Sequence, residues 1–485
     1  MTSRRACTLC AVLLVLAALV ASQPPPTVGI APPGDVWAWG ENTYGQLGNG
    51  NGTLSPVPGQ VSHLSGVTAI AAGGAHSLAL GADGAVWSWG ANARGQLGNG
   101  TVADSSTPVF ISGLGRATAV AAGSEHSLAL LADGTVWAWG ANDAGQLGEA
   151  SSGTCGRRDP ANPVLIGCSP TPVRVEGLTD VITVAAGADH NLALLADGTV
   201  WAWGANTGRT VLSPSAPESG CDFTSCSRTP TPVGGLGEVI AVAAGAGYNL
   251  VLLTDGTLRS WGVDANGQLG RPSEPCGRLG CRPAPGQVSD LSAVTAIVAG
   301  GAHSLALLAD GTVWAWGQNF YGQVGSPPSF SSRPAPVSGL ARVSAVAAGP
   351  AHSLALGLDG TVWIWGANAY GYAGRPGPDF CSTEGGEPIM CNPAPSRVGG
   401  LPGVTAIAAG GAHNLALASR DDMPPPGQLC RWFLGPFLWT SVVDWFGSGR
   451  PTDVLSLLRM IVLALVVLHP VDDVVRAWGP EELTA

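Results

Sequence analysis

The chain has 485 residues, of which 45% are hydrophobic and only 11% are charged, and its formal net charge is -11. This composition provides no basic face for a phosphate backbone, so we expect no nucleic-acid partner. The 71 glycines accompany a strongly periodic apolar pattern, which indicates many tight turns in a folded chain rather than disorder.

Residues 1–22 have the pattern of a secretory signal peptide. Arg4 and Arg5 precede an apolar run from Ala11 to Ala21, and small residues lead up to Gln23. The run is too short for an ordinary membrane-spanning helix, although an uncleaved anchor is the alternative. Residues 23–33 are proline-rich and predict an extended linker. We therefore expect a protein that is secreted, periplasmic or held in the cell envelope.

Residues 34–418 consist of imperfect copies of one unit, and the clearest copy runs from Ala121 to Gly148. Within this copy, His126–Leu131 alternates small or polar residues with apolar ones, and Thr135–Trp139 resumes the alternation after Asp133-Gly134. A two-residue period around an Asp-Gly pair predicts a β-hairpin with a two-residue turn.

Two features of the unit recur seven times each. The second Trp of the hairpin and the residue that begins its first strand fall at Trp39, Trp89, Trp139, Trp203, Trp261, Trp316 and Trp365, and at His76, His126, His190, Tyr248, His303, His352 and His413. Each unit also carries a Val/Ala strand and a Pro-Val segment, which makes four short strands. Seven such units predict an all-β, seven-bladed β-propeller rather than a solenoid.

The repeated pattern Gly-x-x-His-Ser-Leu-Ala-Leu, Asp-Gly-Thr-Val-Trp-x-Trp-Gly and Asn-x-x-Gly-Gln-Leu-Gly resembles the repeat of the regulator of chromosome condensation family. The resemblance covers residues 34–418 and implies a seven-bladed propeller of four-stranded blades. With the export pattern it is similar to secreted, bacterial-type members, among them propeller inhibitors of β-lactamase. The founding member's activity, guanine nucleotide exchange on a small nuclear GTPase, does not transfer by fold alone.

The order of the half-units predicts how the ring closes. The first piece, Asp35–Gly48, has the Trp strand but no preceding His strand, whereas the last piece, Val404–Ala418, has the His strand but no Trp strand. We therefore expect the N- and C-terminal strands to share one blade, which removes open strand edges.

Eight of the 11 cysteines lie in four insertions, two in each. Local pairing predicts the disulfides Cys155–Cys168, Cys221–Cys226, Cys276–Cys281 and Cys381–Cys391, which fits an oxidising compartment. A zinc site is the alternative, but the cysteines lack a C-x-x-C knuckle and a neighbouring His. We therefore expect no metal and no other cofactor. All four insertions follow the same point of the repeat, so they enlarge one face.

The recurrent His and Trp residues invite a catalytic or ligand-stacking interpretation. A residue that recurs in every blade, however, is expected to have a structural role that all blades share. For His this favours a hydrogen bond in the core, and for Trp it favours packing between blades. No catalytic residue is assigned, and the chain is predicted not to be an enzyme.

The Asn-x-x-Gly turns supply the ligand-binding candidates, because their two x positions vary from blade to blade. A position that the core does not constrain, yet that is repeatedly aromatic or Arg, is favoured for recognition. Scattered exposed aromatic residues are the alternative. The candidates are Tyr44, Arg94, Phe320, Tyr321, Tyr370 and Tyr372.

Residues 419–427 form a second linker, and the tail 428–485 contains an apolar run from Val454 to Val467 that Arg459 interrupts. The run is short for a spanning helix, which leaves weak membrane association or a packed appendage.

We expect a monomeric, secreted binding scaffold that recognises an unknown protein or cell-surface ligand through loops on one propeller face. The alternative is a hydrolase or lyase acting on a polymer, for which asymmetric carboxylates or His on one face would be the evidence. An exchange factor for a small GTPase fits less well with the signal peptide and the paired cysteines.

Overall fold

The computed structural model describes residues 33–149, 153–159, 162–206, 226–272, 281–327, 331–340, 342–368, 371, 380–381 and 389–419. Every regular element within these ranges is a β-strand. No helix in this part of the chain could cross a membrane. The predicted signal peptide and the tail 428–485 lie outside the described residues.

The strands form four sets according to their place in the sheets. The inner strands are β3 Val67–Ala72, β7 Ala117–Ala122, β12 Val181–Ala186, β16 Val239–Ala244, β20 Val294–Ala299, β24 Val343–Ala348 and β29 Val404–Ala409. The His strands are β4 His76–Gly81, β8 His126–Leu131, β13 His190–Leu195, β17 Tyr248–Leu253, β21 His303–Leu308, β25 His352–Gly357 and β30 His413–Ser419. The Trp strands are β1 Gly34–Gly40, β5 Val86–Gly90, β9 Val136–Ala141, β14 Val200–Ala205, β18 Leu258–Val263, β22 Val313–Gly317 and β26 Val362–Ala367.

The outer strands complete the sheets. They are β2 Ser55–Gln60, β6 Ser105–Phe110, β11 Asn162–Arg174, β15 Cys226–Pro232, β19 Cys281–Gln287, β23 Ser331–Pro336 and β28 Ile389–Arg397, with β10 Gly153–Asp159 and β27 Phe380–Cys381 added to two of them. Each of the seven outer strands contains proline, which interrupts the row of N–H groups at the sheet edge, and among the described residues only β11 and β28 pair with a further strand, over part of their length.

Antiparallel pairing joins the strands in the order inner, His, Trp, outer. The two ends of the described chain meet in one sheet, because β1 pairs with β30 from Gly34 opposite Ser419 to Gly40 opposite His413. The same sheet continues into β3 through one further pair, Gly34 opposite Val67. The inner strands contact one another in the order β3, β7, β12, β16, β20, β24 and β29, and β29 contacts β3 in turn.

The Asp-Gly hairpin differs from the prediction at its tip. Leu131 N donates to Thr135 O at 2.9 Å, so three residues rather than two form the loop. Gly134 alone has a positive φ, 76°, and Asp133 Oδ1 accepts from Thr135 N at 3.0 Å. This is the three-residue hairpin loop, in which a type I turn is followed by one residue in the left-handed conformation. The Asp side chain stabilises it by holding the next strand.

The hydrophobic core lies between neighbouring sheets. Leu78 and Leu80 of β4, for example, pack against Ala129 and Trp139 of the next sheet, and Trp139 is fully buried. Burying a side chain of this size stabilises the fold by about 2 to 3 kcal/mol. Each sheet therefore depends on its neighbour for a large part of its buried apolar surface.

Glycine is required where the inner strands turn into the His strands. A Cβ on Gly73 would contact the imidazole of His76 and would lie 2.6 Å from Gly123 O of the next sheet. Both neighbours belong to the buried interior, so neither has room to withdraw. Equivalent glycines stand in the other sheets at Gly123, Gly187, Gly245, Gly300, Gly349 and Gly410.

We expect Gly73→Ala to lower the free energy of unfolding by about 1 to 3 kcal/mol, because the added methyl overpacks the turn. Gly399→Ala is the control, since nothing lies within 4 Å of the Cβ position there. Urea unfolding of both variants measures the difference. Equal stability would show that the turn can yield to a methyl group.

Candidate functional site

The two ends of each sheet carry different loops. His76 lies opposite Gly90, so the turn before the His strand and the loop after the Trp strand emerge at the same end. We name this end the loop face. Leu80 lies opposite Val86 at the other end, where the Asp-Gly hairpins emerge, and we name that end the hairpin face.

A buried asparagine builds each Asn-x-x-Gly loop. Asn42 Oδ1 accepts from Leu47 N at 2.9 Å, and its Nδ2 donates to the carbonyl oxygens of Asn51 and Thr53 at 2.9 and 3.1 Å. The loop then packs on the next sheet, because a Cβ on Gly45 would collide with Ser106. The x residues, here Thr43 and Tyr44, are left pointing out of this framework.

The loops also present a carbonyl to the next sheet. Gln46 O accepts from Trp89 Nε1 at 2.8 Å and from Ser77 Oγ at 3.0 Å. The same arrangement joins Gln96 to Trp139 and Ser127, at 2.9 Å in both bonds. The second Trp of the repeat therefore has a polar role between sheets in addition to its packing.

The recurrent histidines link each sheet to the next. His76 Nε2 lies 2.9 Å from Ser127 Oγ, and His126 Nε2 lies 2.7 Å from Asn191 Oδ1. Further links join His190 to Asn249, His303 to Ser353, His352 to Asn414 and His413 to Ser77. In the remaining unit, Ser304 Oγ donates to the Tyr248 hydroxyl at 3.1 Å. In six units, therefore, the Ser or Asn that follows the His position receives a bond from the preceding sheet, whereas Ser304 gives one to Tyr248.

Burial keeps these histidines neutral. It lowers the pKa of His76, His303 and His413 to about 3. Burial likewise lowers the pKa of His126, His190 and His352 to about 4. Because each ring is enclosed and committed to the next sheet, none is placed to exchange protons with a substrate. We assign the six histidines to the architecture.

The symmetry of the loop face breaks at two neighbouring sheets. The residue that precedes the first residue of the His strand is small in five units, but it is Glu125 in one and Asp189 in the next. This position was not predicted from the repeats, although they show the contrast with Ala75, Ala302, Ala351, Ala412 and Gly247.

Arg94 forms ion pairs with one of these residues, Glu125, and with Asp143. Its Nη1 lies 2.8 Å from Asp143 Oδ2, and its Nε lies 3.3 Å from Glu125 Oε2. The side chains of Arg94 and Asp143 are 15% and 8% exposed, whereas that of Glu125 is 50% exposed. The guanidinium therefore forms a well-covered pair with one carboxylate and leaves the other accessible from solvent.

Asp189 adds a third carboxylate to this group. Burial raises its pKa, and the neighbouring Asp143 acts in the same direction, whereas His190 and Arg94 oppose the rise. Three carboxylates and one guanidinium give this part of the loop face a net negative charge near neutral pH. We name Arg94, Glu125, Asp143 and Asp189 the charged cluster.

A disulfide hairpin adjoins the charged cluster. Cys155 is bonded to Cys168, and Gly167 N, one residue earlier, donates to Asp143 Oδ1 at 3.1 Å. Cys155 Sγ also lies 3.5 Å from Arg94 O. The insertion therefore holds both partners of the Arg94–Asp143 pair.

The remaining predicted disulfides are described only in part. Cys381 is bonded to Cys391, and Cys226 is disulfide-bonded. Cys221 and Cys276 lie outside the described residues, so the pairings of Cys221 with Cys226 and of Cys276 with Cys281 stay predictions. Within the described ranges, no group of three His, Cys, Asp or Glu residues is placed to hold a metal.

The predicted ligand-binding residues that the structure describes lie in three loops of the loop face, with Tyr44 in one, Arg94 in another and both Phe320 and Tyr321 in the third. Tyr44 is 45% exposed and Phe320 is 40% exposed. Tyr321 is half-buried, and its N donates to Gln323 Oε1 at 2.9 Å. Arg94 is engaged in the charged cluster. Tyr370 and Tyr372 lie outside the described residues, so a continuous ring of aromatic residues stays a prediction.

The sequence model of the RCC1-like domain matches residues 150–428, more than half of the chain. The chain belongs to the RCC1-like domain family. The regulator of chromosome condensation (RCC1) repeat also matches residues 33–80 and 83–130, and a second description of this repeat matches residues 67–96 and 117–146. The family predicted from the repeat pattern is therefore confirmed.

Relatives of known name match parts of the chain. The probable E3 ubiquitin-protein ligase HERC6 of Homo sapiens is 32% identical over 179 residues, which are 36% of this chain and 16% of that protein. Protein pim1 of Schizosaccharomyces pombe is 31% identical over 182 residues, 35% of this chain and 32% of that protein. The secretion-regulating guanine nucleotide exchange factor of Bos taurus is 31% identical over 160 residues, 32% of this chain and 33% of that protein. The chain thus spans at most about a third of each of these relatives.

Solved structures extend the likeness across the described sheets. Prp20p of Saccharomyces cerevisiae, reported with its binding to Gsp1p and histones, matches with a TM-score of 0.67 at 24% identity, over 83% of this chain and 95% of that chain. Yeast RCC1 (Prp20) bound to Kap60 matches with a TM-score of 0.66 at 24% identity, over 81% and 92%. At this identity the likeness shows the fold, an all-β propeller of the RCC1 type.

These relatives overturn two predictions. The chain was expected to be a secreted binding scaffold and not an enzyme, yet its relatives are named as a ubiquitin ligase and a nucleotide exchange factor. The error has a physical cause: the repeat residues build the core, and that core is compatible with catalytic and non-catalytic faces alike. The asymmetric carboxylates that were named as evidence for an enzyme are present in the charged cluster.

The predicted partners are corrected as well. We expected an extracellular protein or cell-surface ligand and no nucleic acid, whereas the matching solved proteins are reported with Kap60, Gsp1p and histones. The net charge that supported the prediction is summed over the whole chain. It says nothing about which local surface meets a partner.

Acid should destabilise the folded chain through its six buried histidines. Their pKa lies below the ordinary 6.5 in the folded state, so unfolding takes up protons as the pH falls below 6.5. Their contribution is fully present above pH 6.5 and decreases by about 1.4 kcal/mol per pH unit for each His.

Urea unfolding between about pH 7 and about pH 4.5 measures this slope. Hydrogen bonds lower the pKa of the exposed hairpin aspartates, so these groups titrate below that range of pH. Burial raises the pKa of Asp189, Asp264 and Glu149, so these groups oppose the histidines by at most one proton each. A free energy of unfolding that stays flat over the window would contradict the neutral, buried assignment.

Proposed function

We propose that the chain catalyses guanine nucleotide exchange on a small GTPase, and that the loop face docks the GTPase at the charged cluster. The observation that carries the proposal is the break in symmetry at Glu125 and Asp189, which gives one sector of an otherwise repetitive face its own chemistry. The likeness to the secretion-regulating guanine nucleotide exchange factor supplies the class of reaction.

The charges of the cluster suit such a partner. Small GTPases hold the nucleotide phosphates with a lysine, backbone amides and Mg²⁺. A half-exposed carboxylate such as Glu125 competes with the phosphates for these positive groups when the two surfaces meet. Arg94 fixes the position of Glu125 and Asp143, so the competing charges are ordered before the partner arrives.

The aromatic candidates belong to the same proposal. Tyr44, Phe320 and Tyr321 lie in loops of the loop face, where exposed aromatic side chains supply apolar contact at low entropic cost. We propose that they, with Tyr370 and Tyr372, contact the GTPase around the charged cluster. Ubiquitin transfer is not proposed, because the match covers only 16% of the ligase HERC6.

We also propose that the sheets form seven blades closed into a ring, with β1 and β2 completing the blade of β29 and β30. Support comes from the inner strands, whose contacts return from β29 to β3, and from the pairing of β1 with β30. An electron-microscopy projection along the axis that counts six or eight blades would overturn this.

Export and the division of the chain complete the proposal. Residues 1–22 are proposed to be a signal peptide, 23–33 and 419–427 linkers, and 428–485 a tail. The bonded pair Cys155–Cys168 supports an oxidising location. The exchange activity would then be exercised outside the reducing cytosol, on a GTPase or GTPase-like domain present there.

The experiment is release of a fluorescent GDP analogue from a panel of purified small GTPases, with the full chain as catalyst. We expect the chain to accelerate release from at least one member. Arg94→Ala should lower kcat/KM by about thirtyfold, equivalent to about 2 kcal/mol, because it frees the carboxylates that Arg94 orders.

Arg116→Ala is the matched control, since Arg116 is an exposed arginine before β7 on the hairpin face. Its kcat/KM should equal that of the unchanged chain. No acceleration with any GTPase, with or without a dithiol reductant, would refute the exchange activity. Equal losses in the two variants would refute the loop face as the docking site.

A further inference from the structure

Four Asn-Gly pairs in the described chain differ in how the glycine nitrogen is used. Gly50 N donates to Ser106 O at 2.9 Å, Gly100 N to Pro170 O at 2.9 Å, and Gly267 N to Asp264 O at 3.2 Å. Gly52 N, after Asn51, has no acceptor among the residues that the structure describes. Asn51 and Gly52 are both exposed, and the nearest atom to a Cβ on Gly52 would be Asn42 O at 3.7 Å.

The side chain of Asn51 is held by three donors. Its Oδ1 accepts from Asn42 Nδ2 at 3.1 Å, from Thr53 N at 3.0 Å and from Thr53 Oγ1 at 2.9 Å. Donors aimed at a carbonyl oxygen stabilise the negative charge that develops there when a nucleophile adds to the carbon. The amide carbon of Asn51 is therefore polarised toward attack.

We propose that Asn51 is a self-modifying site, at which Gly52 N attacks Asn51 Cγ and converts the amide to an acid. The Gly52 N–Cγ bond forms, the Cγ–Nδ2 bond breaks, and ammonia leaves with the proton of Gly52 N, which gives a cyclic imide. Solvent water then adds across either C–N bond of the imide, and aspartate or isoaspartate results at position 51. No oxidant or cofactor takes part.

Asn99 is a natural control within the same molecule. It begins the same tripeptide, Asn-Gly-Thr, and its Oδ1 accepts from Thr101 N at 3.1 Å, from Thr101 Oγ1 at 2.8 Å and from Asn92 Nδ2 at 3.4 Å. The amide carbons of Asn51 and Asn99 are thus polarised alike. Gly100 N, however, must leave Pro170 O of the next sheet before it can attack. The two sites differ chiefly in the availability of the nucleophile.

The modification changes the loop that Asn42 builds. A carboxylate at position 51 adds a negative charge to the loop that carries the exposed Tyr44. Isoaspartate also lengthens the backbone by one methylene between two carbonyl oxygens that Asn42 Nδ2 holds, those of residues 51 and 53. The loop face therefore changes with the age of the molecule, whether or not the proposed exchange activity is correct.

The test is incubation of the full chain at mildly alkaline pH, followed by peptide mapping that separates asparagine, aspartate and isoaspartate. We expect Asn51 to convert about fivefold to tenfold faster than Asn99, the factor that one backbone hydrogen bond accounts for. In concentrated urea the two rates should become equal, because the tripeptides are identical. Equal rates in the folded chain, or a difference that persists in urea, would overturn the proposal.

Two variants test the polarising donors. Thr53→Val removes the hydroxyl at similar size and should slow conversion of Asn51 by about threefold, since solvent replaces part of the lost stabilisation. Thr101→Val is the matched control and should leave the rate at Asn51 unchanged. A rate at Asn51 that is the same in both variants would show that the Thr53 hydroxyl does not polarise the amide.

Discussion

One hydrogen-bonded relay passes from every sheet to the next, and the rest of the structure depends on it. In six units a His side chain donates to a Ser or Asn of the following sheet, and in at least four of these that Ser or Asn donates onward to the main-chain carbonyl of a loop glutamine, as His76, Ser127 and Gln96 illustrate. All three residues are buried, so loss of the His or the Ser side chain would leave an unsatisfied polar group in a dry interior. The relay therefore sets the distance and the rotation between neighbouring sheets.

Tyr248 shows what this relay tolerates. The phenol replaces imidazole, reaches His303 O and receives a bond from Ser304, so the link survives a change of residue type. Burial raises the pKa of Tyr248, which keeps it a neutral donor. What the fold requires at this position is a long, uncharged group with a hydrogen to give. This requirement explains why the position repeats and why it carries no substrate chemistry.

Much of this architecture could be predicted from the sequence, because the same strand periodicity and the same His, Trp and Gly positions recur in every repeat. The strand His126–Leu131 and the role of the second Trp follow from local periodicity, and the meeting of β1 with β30 follows from the missing half-units. The three-residue hairpin was not predicted, because an Asp-Gly pair is compatible with two kinds of loop. A two-residue turn of type I′ needs a positive φ at both residues, whereas the three-residue loop needs it only at the glycine. The charged cluster was not predicted either, since Arg94 and Asp143 lie 49 residues apart in different units. Their contact depends on how the loop of one sheet overlaps the next.

The proline of the outer strands limits how this protein can be recognised. Many β-sheet proteins bind extended peptides by adding them as an extra strand, which needs a row of free N–H and C=O groups at the sheet edge. Here each outer strand, such as β6 or β23, has a gap in that row. Strand addition is therefore disfavoured along the five outer strands that form a sheet edge in the described chain, whereas β10 and β27 already pair with the other two. A partner is left mainly with the two faces. The binding specificity of this family member then depends on its loops and turns, where insertions and single charged residues vary without disturbing the sheets.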